Sequence, residues 1–243
     1  HLMASTIPNL KAYDPAYAYE IAIIIQYGLK DMYQWQNNVF YYLTLENENY
    51  IHPQLPNYNI KDKIIKGMYC IKDAKKSKKN KVQLLGRGPM LNEVIKASEL
   101  LYKDWDIDSS IWSVTSYSEL HKEAEDFNRW NNFNPDKSKK ISHLENSLNK
   151  SNKPVIAVSD YVKLVAEQIS PYIKCPFIAL GTDGFGRSDT REILRDFFEV
   201  NKYYIVFSTL NLLVNEGTLK KISLSKAIAL YNINVNKQNP NSI

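Results

Sequence analysis

The chain has 243 residues, 44% of them hydrophobic, enough to bury one large α/β domain or one domain with part of another and too much for a disordered chain. No run of eighteen apolar residues exists, and the longest apolar stretch, around residues 21–25, is bounded by Glu20 and Gln26, which excludes a membrane-spanning helix. Cys70 and Cys175 stand far apart without CxxC or Cys/His spacing, which excludes a disulfide framework and a zinc site and fits a reducing, cytoplasmic setting, while the formal net charge of +5 raises the question of an anionic partner.

Residues 1–5, His1-Leu2-Met3-Ala4-Ser5, have neither the profile of a signal peptide nor a helix start; they read as an expression scar outside the fold. Asp14-Pro15 is a helix opening, with Asp as N-cap and Pro where a missing N–H costs nothing. The helix is predicted to run to about Tyr33, with Ile21, Ile24, Ile25, Gly28 and Leu29 as its apolar face, until Gln36-Asn37-Asn38 breaks the pattern. A strand over 39–45 follows. The polar stretch 46–59, with Pro53 and Pro56, is an ordered loop leading into a linker, and a boundary falls at 60–67. Six lysines crowd residues 72–81; without interleaved aromatics the run is a solvated turn rather than a nucleic-acid or lipid patch, and it accounts for the charge.

Beyond it, short apolar runs at 82–85, 111–114, 155–158 and 177–180 alternate with amphipathic helices, which predicts a largely parallel sheet covered by helices. Ser116-Tyr117-Ser118-Glu119 is a capping-box sequence opening a helix toward Trp130. Asp160 is assigned as the cap of a helix carrying Val162, Val165, Ile169 and Tyr172, and Ser188 as the cap of one reaching Phe198. The stretch 133–153 reads as loop with a short helix. Two further helices, 201–216 and 223–231, finish the chain.

The segment from Gly181 to Glu192 is a strand end, a turn with three glycines and a helix start, but it is not a phosphate loop: no Lys-Ser/Thr ending follows, and Asp183 and Asp189 repel an anion. It predicts a close-packed turn in which Asp183, Phe185 and Arg187 serve structure or an interface. His121 and His143 have no ligand-spaced partners and read as ordinary surface residues, and no metal site is expected. No Ser/His/Asp or Cys/His arrangement stands out from spacing.

Several motifs together resemble one family. Tyr13-Asp14-Pro15-Ala16-Tyr17-Ala18-Tyr19-Glu20, Asn47-Glu48-Asn49-Tyr50, Trp112-Ser113-Val114-Thr115-Ser116-Tyr117-Ser118-Glu119-Leu120, Ser159-Asp160-Tyr161-Val162-Lys163-Leu164-Val165-Ala166-Glu167-Gln168 and Gly181-Thr182-Asp183-Gly184-Phe185-Gly186-Arg187-Ser188-Asp189-Thr190-Arg191-Glu192 are similar to the C-terminal portion of the homodimeric bacterial type of pyruvate dehydrogenase E1 component. The resemblance implies the end of a pyrimidine-binding α/β domain over 6–66 and a transketolase-like C-terminal domain over 67–243. It implies a parent that decarboxylates pyruvate on thiamine diphosphate and Mg²⁺, as a homodimer, and passes the two-carbon unit to a lipoyl-bearing E2 acetyltransferase, with no nucleic acid or membrane involved. The diphosphate and metal site, and the glutamate that activates the cofactor, then lie upstream of Ile7, so the piece alone is expected to bind no cofactor and to be inactive. Tyr13 and Tyr17 are candidates to face the cofactor's pyrimidine, or else ordinary core aromatics. Asn47, Glu48, Asn49 and Tyr50 are candidates for a substrate loop, or else hold their own backbone. Some family members carry histidine directly after this tyrosine; here Ile51 stands there, and His52 is offset by one residue, which turns an extended side chain to the opposite side. His52 remains the candidate for proton transfer or substrate binding on those terms. A non-catalytic dimerisation module and a fragment of a transketolase-like enzyme are the alternatives.

Overall fold

In the computed structural model, residues 1–75 and 80–243 are described; the centre of the lysine run, 76–79, lies outside them. The chain begins with α1 (Leu2–Ser5) and β1 (Leu10–Tyr13), followed by α2 (Ala18–Leu29), which continues as a π-helical turn over Lys30–Gln34, and β2 (Phe40–Leu43). Strands β1 and β2 pair in parallel from Leu10 opposite Phe40 to Tyr13 opposite Leu43. After α3 (Lys61–Ile65) come β3 (Met68–Lys72), β4 (Asn80–Gly86), α4 (Met90–Trp105), β5 (Ile107–Val114), α5 (Tyr117–Phe133), α6 (His143–Leu148), β6 (Val155–Val158), α7 (Leu164–Glu167) and β7 (Phe177–Leu180). Helices α8 (Arg191–Phe197), α9 (Lys202–Asn215) and α10 (Ile222–Leu230) close the fold.

The second sheet has the order β3-β5-β4-β6-β7, parallel except for the antiparallel β3 at its edge. Central strands of a helix-covered sheet are apolar on both faces, and β6, Val-Ile-Ala-Val, is buried throughout. On one face Val82, Leu84 and Ile156 pack under Leu91, Val94 and Leu101 of α4 and Ile205, Val206 and Leu210 of α9; on the other, Leu85, Val155 and Ala157 meet Leu120 of α5 and Leu144 and Leu148 of α6. This is the largely parallel, helix-covered sheet predicted from the alternating runs.

Several local assignments are corrected. Residues 1–5 belong to the fold: Leu2–Ser5 is helical, and the His1 ring bonds Thr44 Oγ1 at 2.9 Å and packs edge-on against Tyr161. Asp14 does not cap α2, which starts four residues later; Glu20 reaches back to the N–H groups of Ala16 and Tyr17 instead. The buried face of α2 is Glu20, Ile23, Ile24 and Gly28, continued by Asp31, one residue out of step with the predicted face, and it leaves Ile25 and Leu29 about half exposed. Residues 60–67 are no open linker: Ile60 and Ile64 are 1% and 0% exposed and share a core with Tyr13, Ile24 and Tyr69. Lys163, not Asp160, is the N-cap of α7, whose four residues fall short of the predicted helix, and Val162 faces outward. Thr190, not Ser188, caps α8, accepting the Ile193 N–H. His143 is half-buried, its Nε2 donating to the Met68 carbonyl at 2.7 Å, with burial holding its pKa below the ordinary value. His121 Nδ1 lies 3.0 Å from the Gln168 carbonyl, so neither histidine is a bare surface residue.

Candidate functional site

The candidate residues gather where the carboxyl ends of both sheets meet. Beyond β1, Asp14 enters the second unit: its N–H donates to the Thr115 carbonyl at 2.8 Å, and its carboxylate pairs with Arg87 Nε at 2.6 Å and accepts Thr44 Oγ1–H at 2.6 Å. Arg87 follows β4 and Asp160 follows β6, the two neighbouring strands between which the sheet reverses its direction of winding. Open α/β sheets bind ligands at that crevice. Here the first unit's own carboxylate fills it, with the Arg87 guanidinium over the Tyr161 ring at 4.6 Å. Asp160 Oδ1 is buried beside it without a hydrogen-bond partner. Burial, reinforced by the negative charge of Asp14, pushes the Asp160 carboxyl up to about 7; burial and Asp14 also raise Glu46.

At the start of α2 lies an aromatic cluster. Tyr17 is 5% exposed, 5.5 Å from the Tyr19 ring and 6.3 Å edge-on from His52. His52 stacks on Tyr50 at 4.7 Å and 19°, and its Nδ1 accepts the Ala18 N–H at 3.0 Å, so a neutral imidazole carries its proton on Nε2. The Tyr50 hydroxyl donates to the Ala16 carbonyl. Behind this cluster Glu20, fully buried, accepts from the N–H groups of Ala16 and Tyr17 and from the hydroxyls of Tyr69 and Ser113, the last two at 2.6 Å each. Burial raises its carboxyl and the four donors oppose the shift. Sequence reasoning missed Glu20, although a lone acid ahead of Ile21-Ala22-Ile23-Ile24-Ile25 at the third position of a helix is a signal for a buried cap.

The loop between β2 and α3 is tied to the C-terminal unit rather than to itself. Arg191 Nη2 donates to the Asn47 carbonyl at 3.2 Å and to Asn47 Oδ1 at 2.5 Å. Arg195 grips both carboxylate oxygens of Glu48, while Tyr50 and His52 reach the first turn of α2. A cleft of about 290 Å³ separates loop from turn, lined by Glu46, Glu48, Asp160, Thr182, Arg187 and Arg195. In the turn, Asp183 Oδ1 accepts the Lys163 N–H at 3.0 Å, serving α7 from across the strand end. Arg187 lies over the Phe197 ring at 5.3 Å, and Phe185 is 78% exposed. A Cβ on Gly181 would lie 2.3 Å from Lys163 N, and Gly184 has φ +105° with Pro240 O 2.3 Å from such an atom, whereas Gly186 faces open space.

Tyr13 is fully buried, its hydroxyl donating to the Ile65 carbonyl at 2.8 Å and its ring parallel to Tyr41 at 5.9 Å, which leaves no face open to a cofactor ring. Among the described residues no group of three His, Cys, Asp or Glu can hold a metal ion. Tyr17 with Tyr50 and His52 is an aromatic cluster beside the loop between β2 and α3.

The family model described as transketolase-like TK C-terminal domain matches residues 67–201, and that of the pyruvate dehydrogenase E1 component middle domain matches residues 1–53. The chain is similar to the pyruvate dehydrogenase E1 component of Cupriavidus necator, 45% identical over 100% of this chain and 27% of that protein. It is 48% identical to that of Buchnera aphidicola subsp. Acyrthosiphon pisum and 43% identical to that of Escherichia coli, each over 99% of the chain and 27% of the relative. The chain thus spans about a quarter of the length of these curated relatives, at their C-terminal part. Among solved structures, a transketolase from Leishmania mexicana superposes with a TM-score of 0.61 at 17% identity, over 88% of this chain and 27% of that one. A transketolase mutant from Pichia stipitis gives 0.59 at 16%, over 86% and 26%. These two show the fold alone.

Proposed function

This chain belongs to the transketolase-like C-terminal domain family, and from that premise we propose that it is the C-terminal part of a pyruvate dehydrogenase E1 component of the homodimeric type. The observation that carries this reading is identity of 38–48% along the whole chain to E1 components, against 17% or less to the transketolases of like fold. The parent decarboxylates pyruvate with thiamine diphosphate and Mg²⁺, acts as a cytoplasmic homodimer and delivers the two-carbon unit to a lipoyl-bearing E2 acetyltransferase. The cofactor, when bound, supplies the carbanion chemistry, and the protein supplies binding, orientation and electrostatics.

On this reading the chain's share is positional, and alone it neither anchors the cofactor nor turns over. Residues 6–66 end the pyrimidine-binding domain and 67–243 form the C-terminal domain, with 1–5 packed onto them through His1, which meets Thr44 and Tyr161. Tyr17, Tyr50 and His52 line one wall of the cofactor pocket. His52 serves there by ordering the first turn of α2, because its Nδ1 is already engaged by Ala18 N–H.

The test is a hybrid in which this chain replaces the C-terminal 27% of the Escherichia coli relative. Pyruvate-dependent acetyl transfer by the hybrid supports the proposal. A hybrid that folds and dimerises yet is inert with pyruvate, or that accepts ketose donors instead, sinks it.

A second reading, a non-catalytic association module, is favoured by Ile25, Leu29 and Tyr33. They are 47%, 52% and 74% exposed at four-residue spacing along α2 and the π-helical turn, an apolar stripe on the outer face. Sedimentation of the isolated chain separates the two: self-association with an inert hybrid favours the module.

A further inference from the structure

The loop carrying Glu48 and His52 is held at two places by different parts of the molecule. At its start, Arg195 Nη1 donates to Glu48 Oε1 at 3.2 Å and Nη2 to Oε2, with the two side chains 14% and 19% exposed. Behind Arg195 stands Glu93 of α4, at 3.8 Å, whose other oxygen accepts the Lys202 N–H that opens α9 at 3.0 Å. Arg191 adds two hydrogen bonds to Asn47. A forked guanidinium fixes a carboxylate in direction as well as distance, and partial burial makes the pair stronger than an open surface bridge. At its end the loop meets α2 through Tyr50 and His52, whose stack borders Tyr17.

Two steps of chain separate Glu48 from Tyr50, at most about 7 Å when extended. So short a link has little slack, and a displacement at Glu48 is passed on to the stack.

We propose that Arg191 and Arg195 are positioning residues, through which α8 of the C-terminal unit sets the placement of Tyr50 and His52 against Tyr17 and the first turn of α2. Neither arginine touches that cluster; each acts through the loop. The consequence for turnover rests on the proposed function above, whereas the coupling itself is a property of this chain.

The test is therefore made on the chain by NMR, following the His52 ring nitrogens and the exchange of the Ala18 amide in Arg195→Met, Arg195→Lys and Arg191→Gln. In Arg195→Met, Ala18 exchange is expected to rise about tenfold or more and the His52 Nδ1 resonance to leave its acceptor position, while the amides of Val82, Leu84 and Leu85 keep their protection. Arg195→Lys, which keeps the charge but not the fork, restores part of the effect. Should Arg195→Met fail to fold, Arg191→Gln, whose side chain is half exposed, gives the same readout at smaller amplitude. Mobile Asn47 and Glu48 with His52 and Ala18 unchanged overturns the proposal. An inert hybrid enzyme whose chain shows the coupling refutes the pyruvate dehydrogenase reading alone.

Discussion

Arg87 and Asp14 form an ion pair of 2.6 Å with side chains 2% and 1% exposed, 73 residues apart in sequence. It pins the end of the two-stranded sheet into the winding-reversal crevice of the five-stranded one. Two charges out of water hold only while each has the other, and Thr44, with the Asp14 N–H bonded to Thr115, completes the arrangement.

Asp14→Ala leaves the guanidinium buried and unpaired, so it is expected to lower the unfolding free energy by about 3–5 kcal/mol. Replacing both partners with apolar residues of similar volume, Asp14→Leu with Arg87→Met, should recover much of the loss. Urea titration of the variants checks this; an Asp14→Ala cost within about 1 kcal/mol would show that the joint is wet or held elsewhere.

Asp160 holds its proton more tightly in the fold than in the unfolded chain, because burial and the neighbouring Asp14 charge penalise its ionised form. The stability tied to that proton is complete below pH 3.8, the unfolded value, and is lost as the pH rises to about 7. Groups with lowered pKa, such as Asp31 and Asp108, slope the other way, so the informative quantity is the difference between wild type and Asp160→Asn. The variant is expected to gain relative stability across that window; parallel stability curves from pH 4 to 8 would contradict a buried carboxyl whose Oδ1 has no partner.

Glu20 receives two backbone N–H groups on one oxygen and two hydroxyls on the other. Hydroxyls can turn to accept, and backbone N–H groups cannot. Glu20→Gln, with its oxygen toward Ala16 and Tyr17, should therefore cost less than about 1 kcal/mol, while Glu20→Leu strands the donors at roughly 1–3 kcal/mol each. Equal costs in chemical denaturation would mean that the network tolerates no reversal.

Gly184→Ala combines a left-handed backbone with a Cβ 2.3 Å from the Pro240 carbonyl oxygen. The expected result is release of the C-terminal tail, seen as faster proteolysis beyond residue 231, with a loss of about 1–3 kcal/mol. Gly186→Ala, in open space, is the matched control and should leave both unchanged.

The strands of the second sheet were legible because fully buried parallel strands write themselves as short apolar runs: Val155–Val158 and Phe177–Leu180 have the predicted bounds. The N-cap Ser116 was legible for a local reason, a polar residue ahead of an amphipathic stretch, and the helix read from residue 201 begins one residue later, with Asn201 as its cap. Asp14 and Asp160 misled because an acid before a helix reads as a cap whether it meets an N–H or a distant arginine, and only tertiary structure decides. The face of α2 was read one residue out because two of its buried positions are acids, Glu20 and Asp31; Asp31 is neutralised by Lys11 at 2.8 Å and bonded by Asn37 and Tyr41. At the candidate site, the sequence pointed to the Asn47 to Tyr50 loop and to the Gly181 to Glu192 segment, but gave Arg191 within it no role and did not point to Arg195; the two join the loop to α8 across more than 140 residues. No local pattern encodes such a pair.

That this chain frames a cofactor pocket without anchoring the cofactor is tested most directly by calorimetric titration of the isolated chain with thiamine diphosphate and Mg²⁺. The expected result is no saturable heat of binding. Micromolar or tighter binding would mean that a diphosphate site lies within these 243 residues and would contradict a purely positional role.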